Sequence, residues 1–210
     1  METGRSFLHA YDAYRNRDNL KDIFIPTLNK IASEWNLDSV KSCLAIGPGS
    51  GFYDIAFIDK CAANTNKFIA VDQDHDSAED LKVRLRKNLP NVEGLVIESD
   101  FKNWKGPHDP VDLVLMFHVL YSVYYRGSDE RRSLLRKVHD RWLTAGGFLA
   151  VLSASHTKSP GSSYQIFDRL GTPHTPWEEI EEDILDAGFT KKRVHAVSYT
   201  HLTLPTNREV

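Results

Sequence analysis

A glycine-rich turn near residue 50 constrains the fold of this 210-residue chain more than any other feature. The apolar run Leu44–Ile46 leads into glycines at every second position, Gly47, Gly49 and Gly51, and an amphipathic segment follows. Asp72 stands twenty-one residues beyond Gly51, after a second apolar run. A glycine-rich turn between a strand and a helix, with an acid at the end of the next strand, is how a Rossmann-like sheet holds an adenosyl ligand.

The residue types in this turn have physical reasons. Glycines let backbone N–H groups approach a ligand closely, and the Asp72 carboxylate can accept hydrogen bonds from both ribose hydroxyls. The dinucleotide fingerprint G-x-G-x-x-G sets a helix N-terminus against a pyrophosphate, whereas here the third glycine comes one residue earlier. An ordinary tight turn is the alternative. The two flanking strands and the spaced acid favour adenosyl binding.

Composition is typical of one soluble α/β domain. Hydrophobic residues make up 41% and charged residues 26%, and the net charge of −3 gives no basic field to attract nucleic acid. No apolar run approaches the roughly 20 residues that span a bilayer. Cys43 and Cys61 are expected to be packed thiols of a reducing compartment, and their spacing offers no metal site. We therefore expect a cytoplasmic monomer with no nucleic-acid, membrane or metal partner.

Strand and helix patterns alternate along the chain, which predicts βαβ units and a parallel sheet with helices on both faces. The predicted strands are 42–46, 68–71, 94–98, 111–117, 148–153 and 189–197. The predicted helices are 19–35, 52–61, 77–87, 129–143, 164–170 and 177–187. Pro26 is expected to kink or split the first helix, and Gly146-Gly147 to end the helix before the fifth strand. Ligands in such sheets bind at the carboxyl ends of the strands.

The end of the fourth predicted strand completes a pattern. The run V-D-L-V-L-M-F-H-V-L-Y at 111–121 resembles motif IV of class I S-adenosylmethionine-dependent methyltransferases. The turn at 46–51 resembles motif I of that family, whose ligand carries no phosphate. The resemblance covers residues 42–197. It implies a Rossmann-like sheet, S-adenosylmethionine as cofactor and transfer of its methyl group to an acceptor.

The resemblance also assigns roles to residues at strand ends. The cofactor-binding candidates are Gly47, Gly49, Gly51, Asp72, Ser99, Asp100 and Phe117. Asp100 can equally be a helix cap or turn residue. His118 and Tyr121 are the catalytic candidates, since His118 could orient an acceptor or take a proton, and an aromatic ring attracts a sulfonium or other cation. A satisfied polar side chain is the alternative for His118, and helix packing is the alternative for Tyr121 and its neighbours Tyr124 and Tyr125.

Three short segments are similar to the histamine N-methyltransferase family. They are the turn at 46–51, the strand exit at 118–123 and an N-terminal segment that contains Phe7, Tyr11 and Tyr14. The similarity implies a small amine acceptor, with Tyr11, Tyr14 and Asp18 in a lid over it. Surface positions on an N-terminal helix are the alternative for these three residues. The sequence departs from that family at Asp72, where the family has glutamate, and at His118, where it has a glutamine-like residue.

We expect three parts in the chain: an N-terminal helical cap at 1–41, the cofactor-binding core at 42–197 and a non-native tail at 198–210. The tail resembles translated sequencing-adapter read-through, a genuine tail being the alternative, and the methyltransferase core is expected to be C-terminally truncated. Two other functions stay open. One is a truncated fold that binds adenosyl ligand without turnover. The other is an NAD(P)-dependent oxidoreductase, which the glycine spacing and the missing Tyr-x-x-x-Lys pair disfavour.

Overall fold

Five parallel strands form the centre of the computed structural model, which describes residues 20–120, 128–153 and 175–190. The strands are β1 (Ser42–Ile46), β2 (Lys67–Asp72), β3 (Glu93–Glu98), β4 (Val111–Phe117) and β5 (Leu143–Leu152). Their order in the sheet is β3-β2-β1-β4-β5, and each neighbouring pair is parallel. The predicted Rossmann-like parallel sheet is confirmed.

Helices cover both faces of this sheet. They are α1 (Leu20–Glu34), α2 (Phe52–Cys61), α3 (His75–Asn88), α4 (Ser128–Lys137) and α5 (Trp177–Asp186). Along β1, Cys43 and Ala45 join the core under the first three helices, whereas Leu44 and Ile46 join the core under the last two. Because both faces of the central strands are covered, these strands are apolar at nearly every position.

The register of the sheet brings three strand ends together. Ile46 of β1 pairs with Val71 of β2, and Ala45 of β1 pairs with Leu115 of β4. The glycine turn that leaves β1 therefore lies between Asp72 at the end of β2 and the chain that leaves β4. This is the edge of the sheet at which the sequence places a ligand.

At the other end of the strands, where β1, β4 and β5 begin, Asp112 of β4 connects neighbouring strands by hydrogen bonds. Its Oδ2 accepts hydrogen bonds from the backbone N of Lys41 at 2.9 Å and of Ser42 at 3.0 Å. Its Oδ1 accepts one from Thr144 Oγ1 of β5 at 3.3 Å. Burial raises the pKa of Asp112, but the accepted hydrogen bonds outweigh it and hold the pKa below its ordinary value. One carboxylate thus ties together three adjacent strands.

One predicted helix boundary is wrong, and of the two alternatives at Pro26, a kink or a split, the split does not occur. Helix α1 continues through Pro26 instead of being split, because Pro26 and Asp22 are exposed and water can bond the freed carbonyl of Asp22. The Gly146-Gly147 pair lies inside β5 instead of ending a helix, since β5 begins at Leu143 after a π-helical turn. Gly146 has a φ of 79°, and the β4–β5 register shifts near it, so these glycines form an irregularity in the strand.

The burial of α2 also differs from the prediction. The amphipathic pattern of residues 52–61 predicts that Phe52, Ile55 and Ala56 are buried, whereas Phe52 and Ala56 are only partly buried. The buried positions in this helix are Tyr53, Asp54, Ile55, Phe57, Ile58 and Cys61. Helix α2 is enclosed over a wide face because it packs on α1 as well as on the sheet.

A helix cap and two buried thiols complete the description of the local structure. Asp74 caps α3, accepting a hydrogen bond from the backbone N of Ser77 at 2.8 Å. Cys43 and Cys61 are buried free thiols, as predicted, and burial raises the pKa of both. The predicted helix at 164–170, most of the strand at 189–197 and the tail at 198–210 lie outside the described residues.

Candidate active site

The glycine turn has a backbone conformation that side chains resist. Gly47, Gly49 and Gly51 have φ angles of 60°, 57° and 73°, in the left-handed region that glycine adopts without strain. The N–H of Gly47 donates to Val71 O at 2.8 Å, and the N–H of Gly51 donates to Pro48 O at 2.9 Å. The alternating glycines therefore allow one tight turn that begins against β2 and ends at the start of α2.

The three glycines face different surroundings. A Cβ added to Gly51 would lie 2.2 Å from Leu81 Cδ1 of α3, and one added to Gly47 would lie 3.0 Å from Val119 Cγ2. Among the described residues, a Cβ on Gly49 would meet nothing within 4 Å. Gly47 and Gly51 are thus needed for packing within the protein, whereas Gly49 borders an open cradle that a side chain would fill. A glycine with open space beside it lets a ligand approach the backbone closely.

Asp72 closes the cradle on the β2 side. Its residue is 8% exposed, and its Oδ2 accepts a 2.8 Å hydrogen bond from the backbone N of Gly49. Its Oδ1 accepts a 2.9 Å bond from the backbone N of Asp74. Burial raises the pKa of Asp72 above its ordinary value, against the lowering effect of these amides. A carboxylate has about four acceptor positions, so Asp72 keeps capacity for the hydroxyls of a ribose.

Ser99 and Asp100 follow β3 beside Asp72. The backbone N of Ser99 donates to Asp72 O at 2.8 Å, which brings the end of β3 against the end of β2. Asp100 forms a turn, in which its Oδ1 accepts a 2.9 Å hydrogen bond from the backbone N of Lys102. Asp100 therefore has the turn role that the sequence left open, and contact of Ser99 and Asp100 with adenine stays a prediction.

The backbone is strained at His118, the residue that directly follows β4. Phe117 is 7% exposed and packs against Phe57 with ring centroids 5.5 Å apart. His118 has a φ of 58°, the one positive φ at a non-glycine residue in the part of the chain that the structure describes. Its backbone N donates to Leu152 O at 2.8 Å, and its ring lies 5.4 Å from that of Tyr53. Such strain persists only where surrounding contacts enforce it, and it is common at functional sites.

Sequence reasoning missed the buried acid Asp54 in the first turn of α2. This residue is 1% exposed, and its Oδ1 has no hydrogen-bond partner among the described residues. Burial, opposed by a backbone hydrogen bond and assisted by the charge of Asp72, raises the pKa of Asp54 to about 8. The available signal was an acid inside the apolar run F-Y-D-I-A-F-I.

Several candidates cannot be located. Tyr121, Tyr11, Tyr14 and Asp18 lie outside the described residues. Within the described ranges, no group of three or more His, Cys, Asp or Glu side chains could hold a metal ion. In the same ranges, no helix has the length and apolar character of a membrane span.

Solved structures of methyltransferases share this fold. A putative O-methyltransferase from Nostoc punctiforme PCC 73102 matches with a TM-score of 0.65 and 20% identity, over 86% of this chain and 56% of that one. The S-adenosylmethionine-dependent methyltransferase SibL matches with 0.62 and 20%, over 82% and 51%. A SAM-dependent methyltransferase from Aquifex aeolicus matches with 0.59 and 18%, over 79% and 81%. The chain thus spans about half the length of the first two.

Sequence comparison identifies the family. No curated protein sequence matches significantly. A family model described as a methyltransferase domain matches residues 44–151, just over half of the chain. The match runs from β1 to β5 and includes the glycine turn, Asp72 and the end of β4. The chain therefore belongs to the methyltransferase domain family.

Proposed function

We propose that this protein binds S-adenosylmethionine at the carboxyl ends of β1, β2 and β4 and methylates a small-molecule amine. The observation that carries the proposal is the cradle at Gly49, an open glycine position whose amide is held by the buried carboxyl of Asp72. The family of the chain supports methyl transfer as the reaction class. The amine acceptor rests on the resemblance to histamine N-methyltransferases.

The proposal divides the cofactor among the ends of four strands. The turn at Gly47, Gly49 and Gly51 receives the amino-acid part, and the carboxylate of Asp72 accepts the ribose hydroxyls. Ser99 and Asp100, which adjoin Asp72 through the bond from Ser99 N to Asp72 O, take the adenine side. Phe117 closes the floor at the end of β4, where the methyl group would lie.

Positioning is the main task of the protein in this reaction. The bound cofactor supplies a methyl group on a positively charged sulfur, so the carbon is already activated and its leaving group is neutral. The chain must align the acceptor with that carbon and exclude water, and good alignment can supply about 7–11 kcal/mol of the barrier. Phe117 ends a strand inside a rigid sheet, and His118 directly follows it. Residues anchored in this way hold such an alignment better than residues in loops.

An amine attacks only in its neutral form, so the acceptor site needs a group that accepts a proton or a hydrogen bond. We assign this role to His118, which follows β4 in a half-buried, strained position. Tyr121 is proposed to contribute a ring face beside the sulfonium, and Tyr11, Tyr14 and Asp18 to cover the amine.

Calorimetry and a methyl-transfer assay test the proposal together. S-adenosylhomocysteine should bind the 210-residue chain, whereas NAD should not. Transfer of labelled methyl to histamine and to a panel of primary and aromatic amines then tests the reaction. Binding of NAD in preference would overturn the assignment. Binding of S-adenosylhomocysteine with no transfer to any acceptor would instead support an adenosyl-binding protein without turnover.

A further inference from the structure

Tyr53 links the helix behind the glycine turn to the end of β4. It stands in the first turn of α2, two residues after Gly51, and is 5% exposed. Its ring centroid lies 5.4 Å from the centroid of the His118 imidazole, with the ring planes inclined by 59°. Phe24 of α1 also contacts Tyr53, edge to face at 4.9 Å. Tyr53 therefore touches His118 from the element that begins at the cofactor cradle.

The backbone of His118 has its own supports. Its N–H donates to Leu152 O, and the next two residues, Val119 and Leu120, are 3% and 1% exposed. These contacts hold the left-handed φ of 58°. They do not by themselves choose a side-chain rotamer, because rotation about the imidazole torsions leaves them unchanged. A packed aromatic neighbour does restrict that rotation, since ring pairs prefer tilted and edge-to-face geometries at 4.5–7 Å.

We propose that Tyr53 is a positioning residue for His118: its ring fixes the imidazole in the orientation that faces an acceptor at the end of β4. The inference rests on the proposed function, in which His118 acts on the acceptor amine. Tyr53 itself need not touch the acceptor or the reacting atoms. The aromatic ring is the required feature, and the phenol hydroxyl is dispensable.

The orientation of His118 can be measured without cofactor or turnover. The full chain carrying ¹³C-labelled histidine is compared by NMR with the variants Tyr53→Phe and Tyr53→Leu, and the His118 signal is identified by its loss in His118→Gln. Phe24→Leu is the matched control, because it removes another ring that packs on Tyr53 but leaves the Tyr53–His118 pair in place. We expect the three-bond ¹³C–¹³C coupling between the carbonyl carbon and Cγ of His118, which reports its χ1 torsion and does not depend on the ring current of Tyr53, to change in Tyr53→Leu. It should keep its value in Tyr53→Phe and Phe24→Leu.

Kinetics give a second measurement. Tyr53→Leu should lower kcat by up to about a hundredfold, the order expected when a reacting group is misplaced by about 1 Å, with little change in the KM for S-adenosylmethionine. Tyr53→Phe should restore kcat. In the Tyr53→Leu background, His118→Gln should cause a much smaller further loss than it causes alone.

The outcomes separate this inference from the proposed function. Equal changes of the His118 ¹³C–¹³C coupling in Tyr53→Leu and Phe24→Leu, or no change in Tyr53→Leu, would overturn it. If Tyr53→Leu fails to fold, Tyr53→Met gives the same comparison, because its flexible, unbranched side chain fills irregular core space without a ring. A change of this coupling in Tyr53→Leu but not in Tyr53→Phe or Phe24→Leu would support positioning even if His118→Gln left methyl transfer unchanged, in which case only the assigned role of His118 would fail.

Discussion

The backbone N–H of Gly49 donates a 2.8 Å hydrogen bond to the carboxyl of Asp72, across the gap between the ends of β1 and β2. Gly49 is the glycine of the turn with open space beside it, and Asp72 is the acid at the adjoining strand end. The two features that suggested adenosyl binding in the sequence are thus bonded to each other. The carboxyl both shapes the turn and borders the cradle.

Replacing Asp72 should weaken cofactor binding. Asp72→Ala removes the proposed acceptor for two ribose hydroxyls and the partner of the Gly49 amide. Since a hydrogen bond to a charged group contributes about 1.5–3 kcal/mol, the Kd for S-adenosylhomocysteine should rise about tenfold or more in calorimetry. Asp38→Ala, an exposed acid before β1, is the control and should leave the Kd unchanged. An unaltered Kd in Asp72→Ala would remove Asp72 from the site.

Two glycines allow backbone strain to be separated from ligand contact. Gly49 and Gly146 both have positive φ, at 57° and 79°, and in the described part of the chain a Cβ on either meets nothing within 4 Å. Gly49→Ala and Gly146→Ala should each lower the free energy of unfolding by about 1–2 kcal/mol, measured with denaturant. Only Gly49→Ala should also weaken binding of S-adenosylhomocysteine, because its methyl group enters the cradle. Equal binding by both variants would place the cofactor elsewhere.

The sheet could be predicted because its signals are local. Apolar runs separated by amphipathic segments define the strands, and β4 was predicted with its observed bounds, Val111–Phe117. The glycine turn and Asp72 could be predicted for the same reason, since each is recognised from a few consecutive residues of the sequence. The start of β5 was missed because Gly146-Gly147 usually ends a helix, whereas here the pairing with β4 draws these glycines into a strand.

The side-chain environment of the site depends on packing between distant segments. No local pattern shows that Leu81 occupies the space that a side chain at position 51 would need. Nor does any local pattern show that the rings of Tyr53 and His118 pack together. The left-handed φ of His118 is likewise set by tertiary contacts, since histidine has no strong preference for it. Such relationships arise from tertiary packing, so no local sequence pattern predicts them.

Asp54 should make the protein less stable as the pH rises. Its pKa is raised from 3.8 to about 8 in the folded state, so between these values the folded protein binds a proton that the unfolded chain releases. The free energy of unfolding therefore falls with rising pH in this window, by up to ~1.4 kcal/mol per pH unit for one proton. Asp54→Asn removes the titrating group, so its unfolding free energy should depend less on pH between 5 and 8.

Denaturant titrations at several pH values check this slope. Asp59→Asn is the matched control, since Asp59 lies in the same helix but is exposed and pairs with Lys60. That variant should keep the slope of the wild type. A slope that is the same in Asp54→Asn and the wild type would show that Asp54 is ionised in the folded protein.

Helices α4 and α5 offer a comparison between a buried and an exposed ion pair. Arg131 Nε donates to Asp183 Oδ2 at 2.6 Å, and both side chains are at most 3% exposed. The neighbouring pair of Arg132 and Asp186 is 3.1 Å apart, with side chains 32% and 57% exposed. Asp183→Ala removes the carboxylate 2.6 Å from the buried guanidinium of Arg131 and leaves the exposed Glu179, 3.5 Å away, as its acidic neighbour. This loss should cost up to about 3–5 kcal/mol of unfolding free energy.

Asp186→Ala should cost at most about 1 kcal/mol, because water solvates the exposed Arg132 and weakens its ion pairs. Denaturant unfolding of both variants tests the difference. Asp183→Ala should still bind S-adenosylhomocysteine with the wild-type Kd wherever it is folded, since α4 and α5 cover the face of the sheet away from α2 and the start of α3. Similar losses of stability in the two variants would mean that burial of Arg131 contributes little to holding α5 on the sheet.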